Sequence, residues 1–392
     1  MNKLYGNGIQ DDTAAIQEMI DNAGSELRLP MPEVCYVISK PLELPSNFKL
    51  SLPRFAEIKL AKNSNCFMLQ NKAVTDNVNK IKDKFCYCLN EWSADAPCKN
   101  IEIEGGIWNF NNLEQSPNPI YTGIIEPENY TGFGFLFYNV KNFRLSSLTL
   151  KDPVNFAVTL DTVSYFTVDN IIFDFNYGNP LATNMDGIHL NGNCHFGSIT
   201  NLKGACYDDL VALNADEGSA GPITNITIDG IYSEDCHSAV RLLSANYPVK
   251  NIHITNVYGT YFQYCIGITR FYETKDTGIY DGITIDNVYV SKAIRYPVYA
   301  KPENDYVYPI IYIQDKLRIK ALKIANLHRR EYINTIPTIL ICENTEIEQF
   351  VLDNITTENH VNNDPMPLFV NRGTIKHIST NMLFEDGKEF HL

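Results

Sequence analysis

The chain has no unbroken apolar run of the roughly 18 residues that a membrane-crossing helix needs. Its opening, Met1 to Ile20, lacks the apolar core of a secretion signal. That predicts a cytoplasmic protein, or a secreted or periplasmic one whose signal has been removed. Basic charge is scarce: 32 Lys and Arg stand against 46 Asp and Glu, for a net charge of -14. Neutralising phosphates requires a basic face, so a nucleic-acid partner is disfavoured, and no membrane partner is expected. The ten cysteines include no Cys-x-x-Cys pair of the zinc-binding kind; Cys86, Cys88 and Cys98 are spaced otherwise. Cys194, Cys206, Cys236 and Cys265 recur in successive β-rich segments, where reduced thiols filling a core are expected. No Pro/Gly linker or charge run divides the 392 residues. The expectation is therefore one domain over 1–392, with a cap at about 1–30 and a last coil and tail at about 356–392.

Hydrophobic residues make up 44% of the chain, enough for a large core and too many for a disordered protein. The opening reads as a loop and then a short amphipathic helix. Asp11 or Asp12 would cap it, Ile16, Met19 and Ile20 would form its apolar face, and Gly24 would stop it. From about residue 100 another pattern takes over. A short alternating apolar run meets an Asn or Asp and then another apolar residue, as in Asn225-Ile226-Thr227-Ile228-Asp229-Gly230-Ile231 and Asn251-Ile252-His253-Ile254-Thr255-Asn256-Val257. Copies recur at Asn100–Gly105, Ile283–Val288, Leu322–Leu327 and Phe350–Ile355. Period-2 alternation marks half-buried strands. The Asn residues suit turns, where each side chain can bond local backbone or the Asn of the next coil. Short strands repeating at this spacing predict an all-β, right-handed parallel β-helix with an N-terminal capping helix, in preference to a β-propeller with its longer four-stranded blades. Residues 72–98 and 111–131 are expected to form loops beside it.

Three carboxylates stand out in this pattern. Asn184-Met185-Asp186-Gly187 is followed by Tyr207-Asp208-Asp209, with Asp208 coming 22 residues after Asp186. That is about one coil, so the two segments can lie side by side. Acids crowded together cannot all ionise freely, and at least one should keep its proton near neutral pH. A proton-donating acid opposite an ionised one is what cleavage of a glycosidic bond requires.

Asn184-Met185-Asp186-Gly187 resembles the Asn-Thr-Asp-Gly segment of family 28 glycoside hydrolases, the polygalacturonase group. Tyr207-Asp208-Asp209-Leu210-Val211-Ala212 resembles that family's Gly-Asp-Asp-Cys-Val-Ala. Cys236-His237-Ser238 stands where the family has Gly-His-Gly, and Arg270-Phe271-Tyr272 where it has Arg-Ile-Lys. The opening is similar to the cap of the wider pectin-lyase-like superfamily. The resemblance implies hydrolysis of a pectin-like or other polysaccharide by inversion. Asp208 would be the general acid, Asp186 and Asp209 would hold and deprotonate the water, and His237 would tune an acid. Asn184 and Arg270 would contact substrate, with no metal and no organic cofactor. Tyr272 in place of the family's Lys puts galacturonan specificity in question. An insertion, Asp216 to Pro222, would reshape the cleft and favour exo action.

Arg241 competes with Arg270 for the substrate role. His189 is either a further substrate contact or a solvated or core-edge His. Tyr258, Tyr261, Phe262, Tyr264, Phe271 and Tyr272 offer sugar-stacking surfaces or stack on one another between coils. Two other functions fit the same scaffold. One is a polysaccharide lyase using Arg241 or Arg270 as base, with Ca²⁺ on the acids. The other is a glycan-binding adhesin without turnover.

Overall fold

The computed structural model describes residues 2–78, 92–94, 96–118, 132–182, 184–270, 277–293, 307–361 and 364–392. The chain winds as a right-handed parallel β-helix. Its strands alternate between a larger sheet and a smaller one, and each strand pairs with its counterpart in the next coil. Five strands of the smaller sheet carry the site: β1 (Val158–Asp161), β2 (Ile188–Leu190), β3 (Asp209–Asn214), β4 (Ser238–Leu243) and β5 (Ile266–Thr269). Their register aligns Val158, Ile188, Val211, Val240 and Ile266 in one column, all fully buried. The pleat turns the next residue of each strand to the outer face. Those residues are Thr159, His189, Ala212, Arg241 and Gly267.

The repeated Asn motif builds the corners of the larger sheet. Ile226, Ile252, Ile283, Leu322 and Phe350 stack as one inward column. Residues with positive φ interrupt these strands at matched positions, including Asn225 and Asn251, then Asn256, Asn287, Asn326 and Asn354. Asn tolerates the left-handed region better than other residues with a Cβ, because its short amide bonds locally. The amides also link the coils. Asn251 Nδ2 donates to Asn225 Oδ1 at 3.0 Å and Asn354 Nδ2 to Asn326 Oδ1 at 2.7 Å, while Asn287 donates to Asn256. Asn354→Ala should therefore cost about 1–2 kcal/mol, from left-handed strain and a lost hydrogen bond. Asn354→Gly should recover the strain part, a difference that chemical denaturation can read.

Helix α1 (Thr13–Asn22) lies over the first coil and buries Ala15, Ile16 and Ile20. Asp12 stands at its N-cap but turns its carboxylate to the amides of Tyr5 (2.5 Å) and Gly6 (3.2 Å). Asp11 Oδ1 accepts from the Thr13 amide at 2.9 Å instead. Gly24 follows the helix at φ +72°. The region expected to be loops from residue 72 begins with one helical turn, Lys72–Thr75. Cys86 and Cys88 lie outside the described residues. Cys194, Cys206, Cys236 and Cys265 are free thiols with no exposed surface, as core filling requires. On the larger sheet, Tyr232, Tyr258, Tyr289 and His328 form a ladder of stacked rings with centroids 4.6–5.6 Å apart. Tyr258 thus stacks between coils.

Candidate active site

The pairing of β2 with β3 brings the two acid segments together. The Gly187 amide donates to the Asp209 carbonyl at 3.1 Å, so Asp186 and Asp209 stand at adjacent corners of neighbouring coils. The third coil adds His237, whose amide donates to the Cys206 carbonyl, and Ser238, which is in register with Asp209.

Three donors converge on Asp209. Ser238 Oγ donates to Oδ1 at 2.5 Å and Tyr264 Oη to the same oxygen at 3.4 Å, while Arg241 Nη1 donates to Oδ2 at 3.3 Å. Burial, then the Asp209 charge, holds the Tyr264 phenol well above its ordinary range, so it stays a donor. Desolvation pulls the Arg241 guanidinium down, but the Asp209 charge more than restores it, so Arg241 stays charged.

Asp186 is bound differently. Its Oδ2 lies 2.6 Å from His189 Nδ1, and His189 Nε2 lies 3.0 Å from Glu217 Oε2 and 3.1 Å from Asn191 Oδ1. The imidazole is fully buried and stacks on Phe156 with centroids 3.9 Å apart. Desolvation alone would lower its pKa, but the bonds to Asp186 and Glu217 outweigh that and lift it to about 9. Burial raises Glu217, yet His189 and Arg241 bring it down to about 2. Desolvation pushes Asp186 up to about 6, against the pull of His189.

Among the described residues, Asp208 has neither kind of support. Burial, then the charges of Asp186 and Asp209, push its carboxyl well above the usual range. His237 Nδ1 stands 3.6 Å from its Oδ1, beyond hydrogen-bond length. Asp208 is also the most open of the three acids: its side chain is 22% exposed, against 3% for Asp186 and 1% for Asp209. Asp208, Asp209 and His237 each bring a ligand atom within 4.8 Å of the other two. The Arg241 cation already neutralises Asp209, which weakens any divalent site there.

Among the expected substrate residues, Arg241 faces the acids from the outer column. Arg270 lies past the end of β5, 5% exposed, with its amide donating to Gln314 Oε1 at 2.7 Å. Asn184 takes φ +53° just before the buried Met185 and Asp186. Tyr272 and Phe271 lie outside the described residues. Glu217, Ser238 and Asn191 join the cluster although no sequence motif marks them for it, and Tyr264 joins it as a hydrogen-bond donor rather than as a stacking ring. An acid inside the expected insertion was the available signal for Glu217.

No known protein family's sequence profile matches the chain, and no curated protein matches it by sequence. Solved structures do match in fold. An exopolygalacturonase from Thermotoga maritima superposes with a TM-score of 0.61 at 12% identity, covering 99% of this chain and 90% of its own. Endo-xylogalacturonan hydrolase from Aspergillus tubingensis gives 0.54 at 15% identity, covering 98% and 91%. PfbA, a surface adhesin of Streptococcus pneumoniae, gives 0.53 at 15% identity, covering 96% and 91%. The fold is therefore the right-handed parallel β-helix that these hydrolases and this adhesin share. No helix among the described residues is long and apolar enough to cross a membrane.

Proposed function

We propose that the protein is a glycoside hydrolase that cleaves a pectin-like polysaccharide or oligosaccharide with inversion. The observation that carries this is the unequal treatment of three neighbouring acids. Asp208 is partly open and pushed towards its protonated form, whereas Asp186 and Asp209 are held by donors. Asp208 donates its proton to the glycosidic oxygen. Asp186 and Asp209 hold and deprotonate a water on the opposite side of the sugar. His237 tunes Asp208. Arg241, facing the acids, is better placed than Arg270 to take a uronate carboxylate, with Asn184 and Tyr272 as further substrate contacts. The solved hydrolases of the same fold support the substrate class.

A second reading, glycan binding without turnover, is favoured by the near-complete burial of Asp186 and Asp209. A screen of pectic and arabinogalactan fragments by anomeric NMR separates the two. The expected first product is the inverted anomer. A retained anomer would sink the mechanism, and an unsaturated, ultraviolet-absorbing product would point to a lyase. Saturable binding with no product on any fragment would establish the second reading.

A further inference from the structure

Glu217 enters the site on a segment that neighbouring coils hold from several directions. The Asp216 carboxylate accepts from the amides of Ala245 (2.6 Å) and Asn246 (2.9 Å). The Ser219 amide donates to Asp161 Oδ2 at 2.8 Å, two coils earlier. The Gly192 amide donates to the Glu217 carbonyl at 3.2 Å, and Asn193 Nδ2 to the Ala220 carbonyl at 3.3 Å. Gly218 sits at φ +60°, where an added Cβ would lie 2.1 Å from Asp161 Oδ2. No larger residue fits this packing, so the path of the segment is fixed. Asn214 Nδ2 then donates to Glu217 Oε2 at 3.0 Å and sets the carboxylate itself.

The Glu217 carboxylate faces one ring nitrogen of His189, and the Asp186 carboxylate faces the other. Asn191 Oδ1 adds another oxygen beside Nε2, and Phe156 covers a ring face. The remaining titratable groups of the site are Asp208, Asp209, Arg241, His237 and Tyr264, with Asp161 facing the Glu217 segment. Ionised carboxylates only accept hydrogen bonds, so an imidazole between two of them satisfies both only when each nitrogen carries a proton.

We infer that Glu217 is a positioning residue: it holds His189 as the doubly protonated imidazolium, which fixes Asp186 as an ionised, oriented acceptor and leaves Asp208 alone with the transferable proton. This assignment of protons rests on the hydrolase reading, but the state of His189 does not. Glu217 acts through His189 and touches no reacting atom. Without its charge, His189 releases a proton more readily. Above the pH where the imidazole turns neutral, Asp186 loses the charged donor that orients it.

The test is Glu217→Gln in the full chain, read in two ways. The first is ¹⁵N NMR of labelled histidines, with His189 identified as the resonance missing from His189→Gln. In the unaltered protein both its nitrogens should be protonated at pH 7.5. In Glu217→Gln its titration should fall by about one pH unit or more, and Glu217→Asp should restore part of the shift. The second reading is the pH profile of kcat/KM. Its basic limb should move to lower pH in Glu217→Gln, because the imidazolium that orients Asp186 is then lost at lower pH, so the loss of activity is larger at pH 8.5 than at pH 6. A neutral His189 in the unaltered protein at pH 7.5 overturns the inference whether or not the variant folds. So does an unchanged titration in Glu217→Gln, or a loss of activity independent of pH. Absence of hydrolysis by the unaltered protein on every fragment would sink the hydrolase reading while the NMR titration still decides this one.

Discussion

Asp208→Asn is expected to lower turnover by about 10²–10⁴-fold, the range ascribed to a general acid, while leaving the melting temperature within a few degrees. The two parts of that result have one origin. Asp208 lacks the donors that hold Asp186 and Asp209, and burial beside those charges raises its pKa. A carboxyl whose folded pKa exceeds its unfolded value weakens the fold as pH rises above the unfolded value, so at pH 7 Asp208 contributes no stability. A neutral amide of the same shape removes the proton donor and takes away no stabilising contact. Turnover and thermal melting on the same preparation check both parts. Activity within tenfold of the unaltered protein would remove Asp208 from the acid role. A collapse of the melting temperature would mean that its carboxyl is structural.

The largest stability effect is expected far from the acids. Arg329 and Glu331 are both fully buried in the larger sheet, on the strand Leu317–Glu331. Arg329 Nη2 lies 2.7 Å from Glu331 Oε2 and its Nε 2.9 Å away. Its Nη1 donates to the Ile336 carbonyl at 2.7 Å. Glu331 Oε1 accepts from the amides of Tyr332, Ile333 and Asn334 at 2.9–3.2 Å, which closes the turn that follows the strand. Glu331→Gln keeps the shape but leaves a buried guanidinium without a counter-charge, and should cost about 3–5 kcal/mol. Because each coil contacts mainly its neighbours, the loss should appear first as faster amide exchange over residues 317–331 and 346–359. The double change Arg329→Met with Glu331→Leu removes both charges and should recover most of the loss. A Gln variant with unchanged exchange would show that the pair does not hold the C-terminal coils. The exposed pair Arg330–Glu358 links this strand to the next, Glu346–Asn359, and should matter little, because solvent screens it.

The sequence was readable where its information was periodic. Alternating residues marked the strands and Asn marked the corners, because a left-handed backbone turn is unfavourable for most side chains. The acids were readable because their spacing equals a coil. The choice between Arg241 and Arg270 was also accessible. Val240 and Leu242 point inward, so Arg241 points out, in the same outer column as His189 and one strand beyond Ala212, whereas Arg270 falls beyond the strand. Arg329 and Glu331 were not readable in this way. His328-Arg329-Arg330-Glu331 has the composition of a solvated surface, and only the register of the coil turns alternate members inward.

The coil, its corners and the nearness of Asp186 to Asp208 and Asp209 are written into the chain's own pattern. Each of these follows from local backbone preference repeated at a near-constant interval. Packing of the coils settled which acid lacks the donors that hold the other two, that Tyr264 and Arg241 converge on Asp209, and that Glu217 reaches His189 from a segment anchored two coils away. Those contacts join residues with no fixed spacing in the chain, and burial, which moves protons from one group to another, exists only once the coils have stacked.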